Sequence, residues 1–439
     1  MFSNLPLGEK LKQIRVAKGY SLENIGRATN TSERTIGRIE RGDANSTPSM
    51  EQLAILKEAL DIPNAPLLDY ELATYESRLW YLHELITTDR MQDAKNTVAD
   101  LSVIIDLPFE RDLIAIFLLS EARILINEQN VQEAIVKIDT VETYVNDAGY
   151  QPSAEVLHLF HSNKSGVYFW QGNYKQAIAH GLKTLGYEST KLKASTHMLR
   201  NIGGAYLLTG QPFHAVRYLE QSISAFKGDI TSFHVAIAKG ILASCYTQIH
   251  DFDKARALLN EALLKARGVN DEMNIGRILI ELGHVSSESG DYNHALTLYD
   301  QALKLLKNHK DMYAQGHIYK GVTLIHLKQF AECEKLIAEG RAVVNEIKES
   351  THVFLHEMLT QSFDMLHHRI NLKDSNSVAH LERVSIPYYR SIGQKYVALE
   401  ICTALEEHYR KQRSKMKELT IKGIKCDVLM EMMYGGAEE

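Results

Sequence analysis

The chain has 439 residues, too many for one ordinary hydrophobic core, so several domains or a repeat array are expected. Its 45% hydrophobic and 24% charged residues exclude a largely disordered chain, and it has no apolar run long enough (about 18 residues) to span a membrane as a helix. The net charge of −6 is uneven: residues 1–42 hold eight Lys/Arg against four Glu, a balance of +4, and the remainder holds 41 basic against 51 acidic residues, a balance of −10. That is the pattern of a small polyanion-binding head on an acidic body.

The head reads as four or five short helices. Leu7, Leu11 and Ile14 share one face of a first helix, with Arg15 beside them, that stops at Gly19. Ser21 is a good N-cap for a second helix through Leu22, Ile25 and Ala28. Asn30 takes the tight turn that follows, where a left-handed residue is needed. Ser32 caps a third helix that buries Ile36 and Ile39 and turns Glu33, Arg34 and Arg38 outward. After the loop DANSTPS, a fourth helix runs over Leu53, Leu56 and Leu60. Taken alone, on an isolated amphipathic helix, Arg34 and Arg38 read first as members of surface ion pairs with Glu33 or nearby acids.

A helix, a tight turn and a second short helix is the layout of a helix-turn-helix. The run SLENIGRATNTSERTIGRIERG, followed by the helix SMEQLAILKEALDI, resembles the Cro/repressor (XRE) type of DNA-binding domain. Gly26 sits where the two helices cross. The resemblance implies that an arginine on the first helix pairs with the glutamate of the closing ExG, here Arg15 and Glu40. It puts base reading on Glu33, Arg34 and Arg38. Arginine can grip guanine O6 and N7 with two bonds, and glutamate can accept from cytosine N4. It puts phosphate contacts on Ser21, Thr31, Ser32 and Arg41. Leu22 departs from relatives with a polar residue there, which leaves that contact to the backbone or to Arg27. Thr35 completes the DNA-facing set. The boundaries expected are residues 1–62 for this domain and 63–69 for a linker, within the segment IPNAPLLD.

The body, 70–434, carries a repeated phrase of a small residue, an aromatic and then alanine: GNYKQA, GQPFHA, HDFDKA, GDYNHA and KQFAEC, with fainter copies DRMQDA and QNVQEA. Its anchors are Ala94, Ala134, Ala177, Ala215, Ala255, Ala295 and Cys333, spaced by 40, 43, 38, 40, 40 and 38 residues. Twelve residues before each anchor lie Leu82, Ala122, Ser165, Gly203, Ala243, Gly283 and Gly321, small in all but the first. This is the tetratricopeptide pattern of two helices touching through small residues, on a period longer than the usual ~34. The fold class expected is therefore all-α: a helix-turn-helix domain followed by a right-handed tetratricopeptide-repeat superhelix, closed by atypical helix pairs beyond about 345, with a tail at 435–439.

Such arrays offer a concave face to extended peptides. Fourteen residues before each anchor lie Trp80, Ser120, Asn163, Asn201, Ile241, Glu281 and Tyr319. Asparagine suits a peptide backbone because one amide both donates and accepts. Asn163 and Asn201 are thus candidate peptide ligands; bonds to neighbouring helices are the competing reading. His197, Arg277, His284 and Gln315 lie a turn away, and Lys164 and Arg200 adjoin the asparagines. For the charged members a solvated role competes.

Catalytic and metal chemistry find no support. Cys245, Cys333, Cys402 and Cys426 lack CxxC spacing and read as reduced thiols packed as small apolar residues. His352 and His356 have helical metal spacing with no third ligand. There is no phosphate loop and no nucleophile elbow. No cofactor, metal or enzymatic role is expected. Met1–Gly8 lacks the pattern of a signal peptide, so a cytoplasmic protein with no membrane partner is expected.

An XRE-type head joined to a tetratricopeptide body resembles the peptide-pheromone regulators of Gram-positive bacteria and their phages, the RRNPP group (Rap, Rgg, Npr, Plc and Prg types). The resemblance implies a transcription regulator that works as a homodimer, binds a two-fold operator in double-stranded DNA, and responds to a short signalling peptide. Rap types, which act on a response regulator through their repeats, suggest the alternative of a sequestering module. A scaffold without a pheromone is the third option.

Overall fold

The computed structural model describes residues 5–88, 90–128, 130–187, 192, 196–225, 233–347 and 353–434. All regular elements among them are helical. The head comprises α1 (Leu7–Ala17), α2 (Leu22–Ala28), α3 (Glu33–Arg41) and α4 (Met50–Ala59). Seven helix pairs follow. They are α5 (Asp69–Thr87) with α6 (Met91–Leu101), α7 (Arg111–Asn127) with α8 (Val131–Val145), and α9 (Ala154–Trp170) with α10 (Tyr174–Leu185). Next come α11 (Thr196–Leu208) with α12 (Pro212–Ala225), α13 (Phe233–Gln248) with α14 (Phe252–Gly268), α15 (Glu272–Glu288) with α16 (Tyr292–Leu305), and α17 (Lys310–His326) with α18 (Phe330–Asn345). The closing helices are α19 (Val353–Ile370), α20 (Ser375–His380), α21 (Ile386–Ser391), α22 (Lys395–Lys411) and α23 (Lys415–Tyr434). A π segment, Leu381–Ser385, joins α20 to α21. Pro387 lies just beyond it and has no N–H to give the preceding turn, which accounts for a local change of winding. The expected tail at 435–439 lies outside the described residues.

The repeat register is physical. Each anchor is the fourth residue of its second helix, and all seven are buried. The small residue twelve positions earlier meets it: Ser165 Oγ donates to the Ala177 carbonyl at 2.7 Å, and a Cβ on Gly203 would lie 3.2 Å from the Ala215 carbonyl and 2.6 Å from Leu219. The long period is absorbed by the helices: α7, α9, α15 and α17 each run 17 residues. Three of the four cysteines are buried as expected; Cys426 is exposed on α23.

The chain divides into two compact units, Met1–Lys164 with Lys183–Lys193, and Ser165–Leu182 with Ala194–Glu439. Helices α9 and α10 contribute to both.

In the first unit, the segment expected as a linker is packed. Ala65 and Leu67 are buried, Lys10 Nζ donates to the Leu67 carbonyl at 3.1 Å, and Glu71 accepts from the N–H groups of Leu67 and Leu68 and pairs with Lys57 at 3.0 Å. Burial pushes the Glu71 carboxyl up, but the Leu68 and Leu67 N–H groups and Lys57 outweigh it and hold the acid below its ordinary value.

In the second unit, the A helices α11, α13, α15, α17 and α19 each touch the next in line. The closing helices fold back onto early turns of the same unit. Gly172 (φ 73°) leaves no room for a side chain, since a Cβ there would lie 2.3 Å from the Phe354 ring; Gly210 (φ 78°) stands likewise against Met432.

Candidate DNA-reading helix and ligand cleft

The helix-turn-helix geometry follows from a few local choices. Ser21 caps α2 in a capping box with Asn24. Asn30 takes φ 50° in the turn. Gly26 is buried so tightly that a Cβ would lie 2.7 Å from the Thr31 carbonyl. Ser32 caps α3 by accepting from the Thr35 N–H, and Gly42 closes it at φ 67°. Glu40, 7% exposed, is gripped by Arg15 through Nε at 2.6 Å and Nη2 at 2.9 Å, and Arg15 Nη1 donates to the Tyr20 carbonyl. The guanidinium of Arg15 is held above its usual pKa, first by its hydrogen bond to Glu40. Glu40 is thus a structural partner within the head.

All nine DNA-facing candidates reach the surface of this unit. Ser21, Arg27, Ser32, Glu33, Arg34, Thr35, Arg38 and Arg41 are exposed, and Thr31 is half-buried. Arg34 and Glu33 make no ion pair among the described residues. Arg38 and Arg41 share one acid that sequence reasoning missed: Asp43, 3.8 Å from Arg38 Nε and 3.1 Å from Arg41 Nη2. Arg27 pairs with Glu23 one turn back. Exposed pairs of this kind are worth little and open readily to phosphate. The basic balance of the head is also less superficial than its sum suggests. Lys10 is 2% exposed and spent on the Leu67 carbonyl, so it adds nothing to the exposed basic surface.

The peptide candidates separate. Asn163, in the first unit, is 1% exposed, and its Nδ2 donates to the Leu119 carbonyl at 2.8 Å, while its Oδ1 has no partner. That is the interhelical alternative. Lys164 pairs with Glu142 and lies 5.0 Å from the Phe160 ring. In the second unit, Asn201 accepts from the neighbouring Arg200 at 3.3 Å. Arg277 donates to Asn274 at 3.0 Å, and burial pulls its pKa down to about 10 against the opposing charges of Glu281 and Asp271. Glu281 accepts from Ser244 at 2.9 Å. The side chain of His197 lies outside the described residues, as does His352.

Three candidates do converge. His284, Gln315 and Tyr319 line one cleft of the second unit, about 440 Å³ in volume. The His284 and Tyr319 rings stand 4.9 Å apart, and burial raises the Tyr319 phenol. The other walls went unread in the sequence: Phe169, Trp170, Phe354, Met358, Tyr396 and Glu400. They come from α9 and from the closing helices, which carry no repeat register to align. Among the described residues, no group of three or more His, Cys, Asp or Glu could hold a metal ion, and no helix is long and apolar enough to cross a membrane.

Comparisons agree with this architecture. Residues 11–63 match the helix-turn-helix family and 234–308 the tetratricopeptide-repeat family. No curated protein matches the chain in sequence. Similar solved structures include a Rap protein complexed with competence and sporulation factor (15% identity, TM-score 0.69, covering 82% of this chain and 99% of the other). Two others are NprR with its cognate peptide NprX (17%, 0.65, 81% and 99%) and the apo form of the quorum sensor NprR from B. thuringiensis (18%, 0.62, 82% and 100%). At these identities the likeness is one of fold. The chain therefore has a helix-turn-helix joined to a tetratricopeptide body and shares the fold of Rap and NprR.

Proposed function

We propose that the protein is a DNA-binding transcription regulator whose operator binding is controlled by a short signalling peptide held in the cleft of the second unit. The observation that carries this reading is α3: a capped helix, locked from behind by Arg15–Glu40, that turns Glu33, Arg34, Thr35 and Arg38 to solvent beside the N-terminal hydroxyl of Ser32. Phosphates meet the helix N-termini and Arg27, Thr31, Ser32 and Arg41, and α3 reads bases in the major groove. The cleft, walled by aromatic and aliphatic side chains with a few polar groups, has the make-up of a ligand site. The peptide named with NprR is evidence about that protein; here it lends the reading its ligand class.

Reading a two-fold operator requires a dimer. Helix α23 offers a face for a second copy. Met416, Leu419, Gly423, Cys426 and Met430 are exposed at alternating spacings of three and four residues, the seam of a helix pair, and a Cβ on Gly423 would meet nothing within 4 Å. The test is selection of DNA from a random duplex pool by the full chain, followed by a titration with Arg34→Ala. A sequence-specific site that Arg34→Ala binds as tightly as the parent would overturn the base-reading assignment. Leu419→Asp, measured by light scattering, is expected to yield a monomer that loses two-fold sites.

The Rap-like fold gives a second reading, a body that sequesters or acts on a response regulator. A stoichiometric complex with such a protein, dissolved by peptide, would establish it.

A further inference from the structure

We infer that the cleft of the second unit selects a peptide bringing one cationic group, a Lys or Arg side chain or a free amino terminus, among apolar residues; this rests on the peptide-receptor reading above and specifies its ligand.

The walls are mainly apolar: Phe169, Trp170, Leu208, Ile318, Phe354 and Val397 among them. The carboxylates among its lining residues are Glu288 and Glu400, and no Lys or Arg lines it among the described residues. Glu400 is matched from behind by the buried Arg369, at 3.2 Å. Glu288 has no such match. Its described neighbours are His284 Nε2 at 3.8 Å and the Tyr396 hydroxyl, which donates to it at 3.4 Å. Neither partner is a Lys or Arg. A carboxylate with no Lys or Arg beside it, walled by aromatic rings, is costly to desolvate further, so a neutral or acidic ligand closing the cleft over Glu288 pays a penalty that a cation cancels.

A second feature points independently to a ligand. Tyr299 lines the same cleft and is fully buried, and its hydroxyl makes no hydrogen bond of good geometry among the described residues, lying beside Thr323. The nearby Thr323 hydroxyl is engaged with Ser287 at 2.9 Å. The ring is held against Gly283, where a Cβ would lie 2.5 Å away, so Tyr299 cannot be retained if that position gains a side chain. An unpartnered buried hydroxyl in a ligand-sized cleft is ready to bond a peptide group.

The experiment presents the full chain with two pools of synthetic random hexapeptides, one with free and one with acetylated amino termini, and identifies retained peptides by mass spectrometry. The expected result is either enrichment of Lys or Arg in the acetylated pool, which assigns the side chain, or about tenfold loss of affinity when a retained peptide is acetylated, which assigns the amino terminus. In either case Glu288→Gln, verified as folded by its melting curve, reduces the preference to about threefold or less. Trp170→Leu weakens retained peptides of every charge alike. Retention of neutral or acidic acetylated peptides, equally by parent and Glu288→Gln, overturns the cation inference and leaves the peptide reading standing. No retention from either pool overturns both.

Discussion

The head and the repeat body treat their candidate residues in opposite ways. In the head, every residue that the family resemblance assigns to DNA reaches the surface, and the one acid of the signature that turned inward, Glu40, is the one whose partner the resemblance names. In the body, Asn163 faces inward to Leu119, Lys164 is spent on Glu142, and His284, Gln315 and Tyr319 gather in a cleft. A helix-turn-helix is a local device: some twenty residues and two caps determine which side of α3 sees solvent. A repeat groove is built by residues scores of positions apart, and a register position says which helix a residue occupies before it says what covers that helix.

The sharpest way to break this contrast is at Glu40. Glu40→Ala strands Arg15 beside buried surface, and loss of one partner of a largely buried pair costs about 3–5 kcal/mol. The head should lose amide protection in hydrogen exchange while α13–α18 keep theirs. Unchanged protection in α1–α3 would mean that the pair does not hold the head together.

Next in size is Arg34→Ala, with an expected loss of about 1–3 kcal/mol in discrimination and no change in melting temperature, because the side chain is exposed. Arg27→Ala should weaken binding evenly across sequences and lower the slope of affinity against salt. A change in base preference at Arg27 would reverse the two roles.

Asn163→Ala bears on the body. If its amide serves the fold, the change costs about 1–3 kcal/mol of stability through the unpaired Leu119 carbonyl, and leaves peptide affinity within a factor of about three. A large loss of peptide affinity with stability intact would restore it to the ligand site.

The smallest effect is at the junction of head and first repeat. Glu71 has its folded pKa depressed, so the stability it contributes is present above the ordinary carboxylate value of about 4.3 and is lost as pH falls through the folded value. Acid should loosen the contact among Lys57, Leu67 and Glu71, read as faster exchange of the Leu67 and Leu68 amides. Glu71→Gln should show that faster exchange already at neutral pH.

Much was legible in advance. Seven anchors, Ala94 to Cys333, are all buried because a helix pair can approach closely only over a small side chain, a constraint that recurs every 38 to 43 residues and leaves a period in the chain. Ser21, Asn30, Ser32 and the Arg15–Glu40 pair were legible because caps, turns and a known signature act over short distances. What tertiary structure alone decided is covering and closure. It buried Lys10 and the 65–67 segment, turned Asn163 toward Leu119, and brought Phe354, Met358, Tyr396 and Glu400 from the closing helices to the walls of a cleft begun by Phe169 and Trp170. Those helices follow no register, and the contact of Phe354 with Gly172 joins residues far apart in the chain, which no local periodicity records.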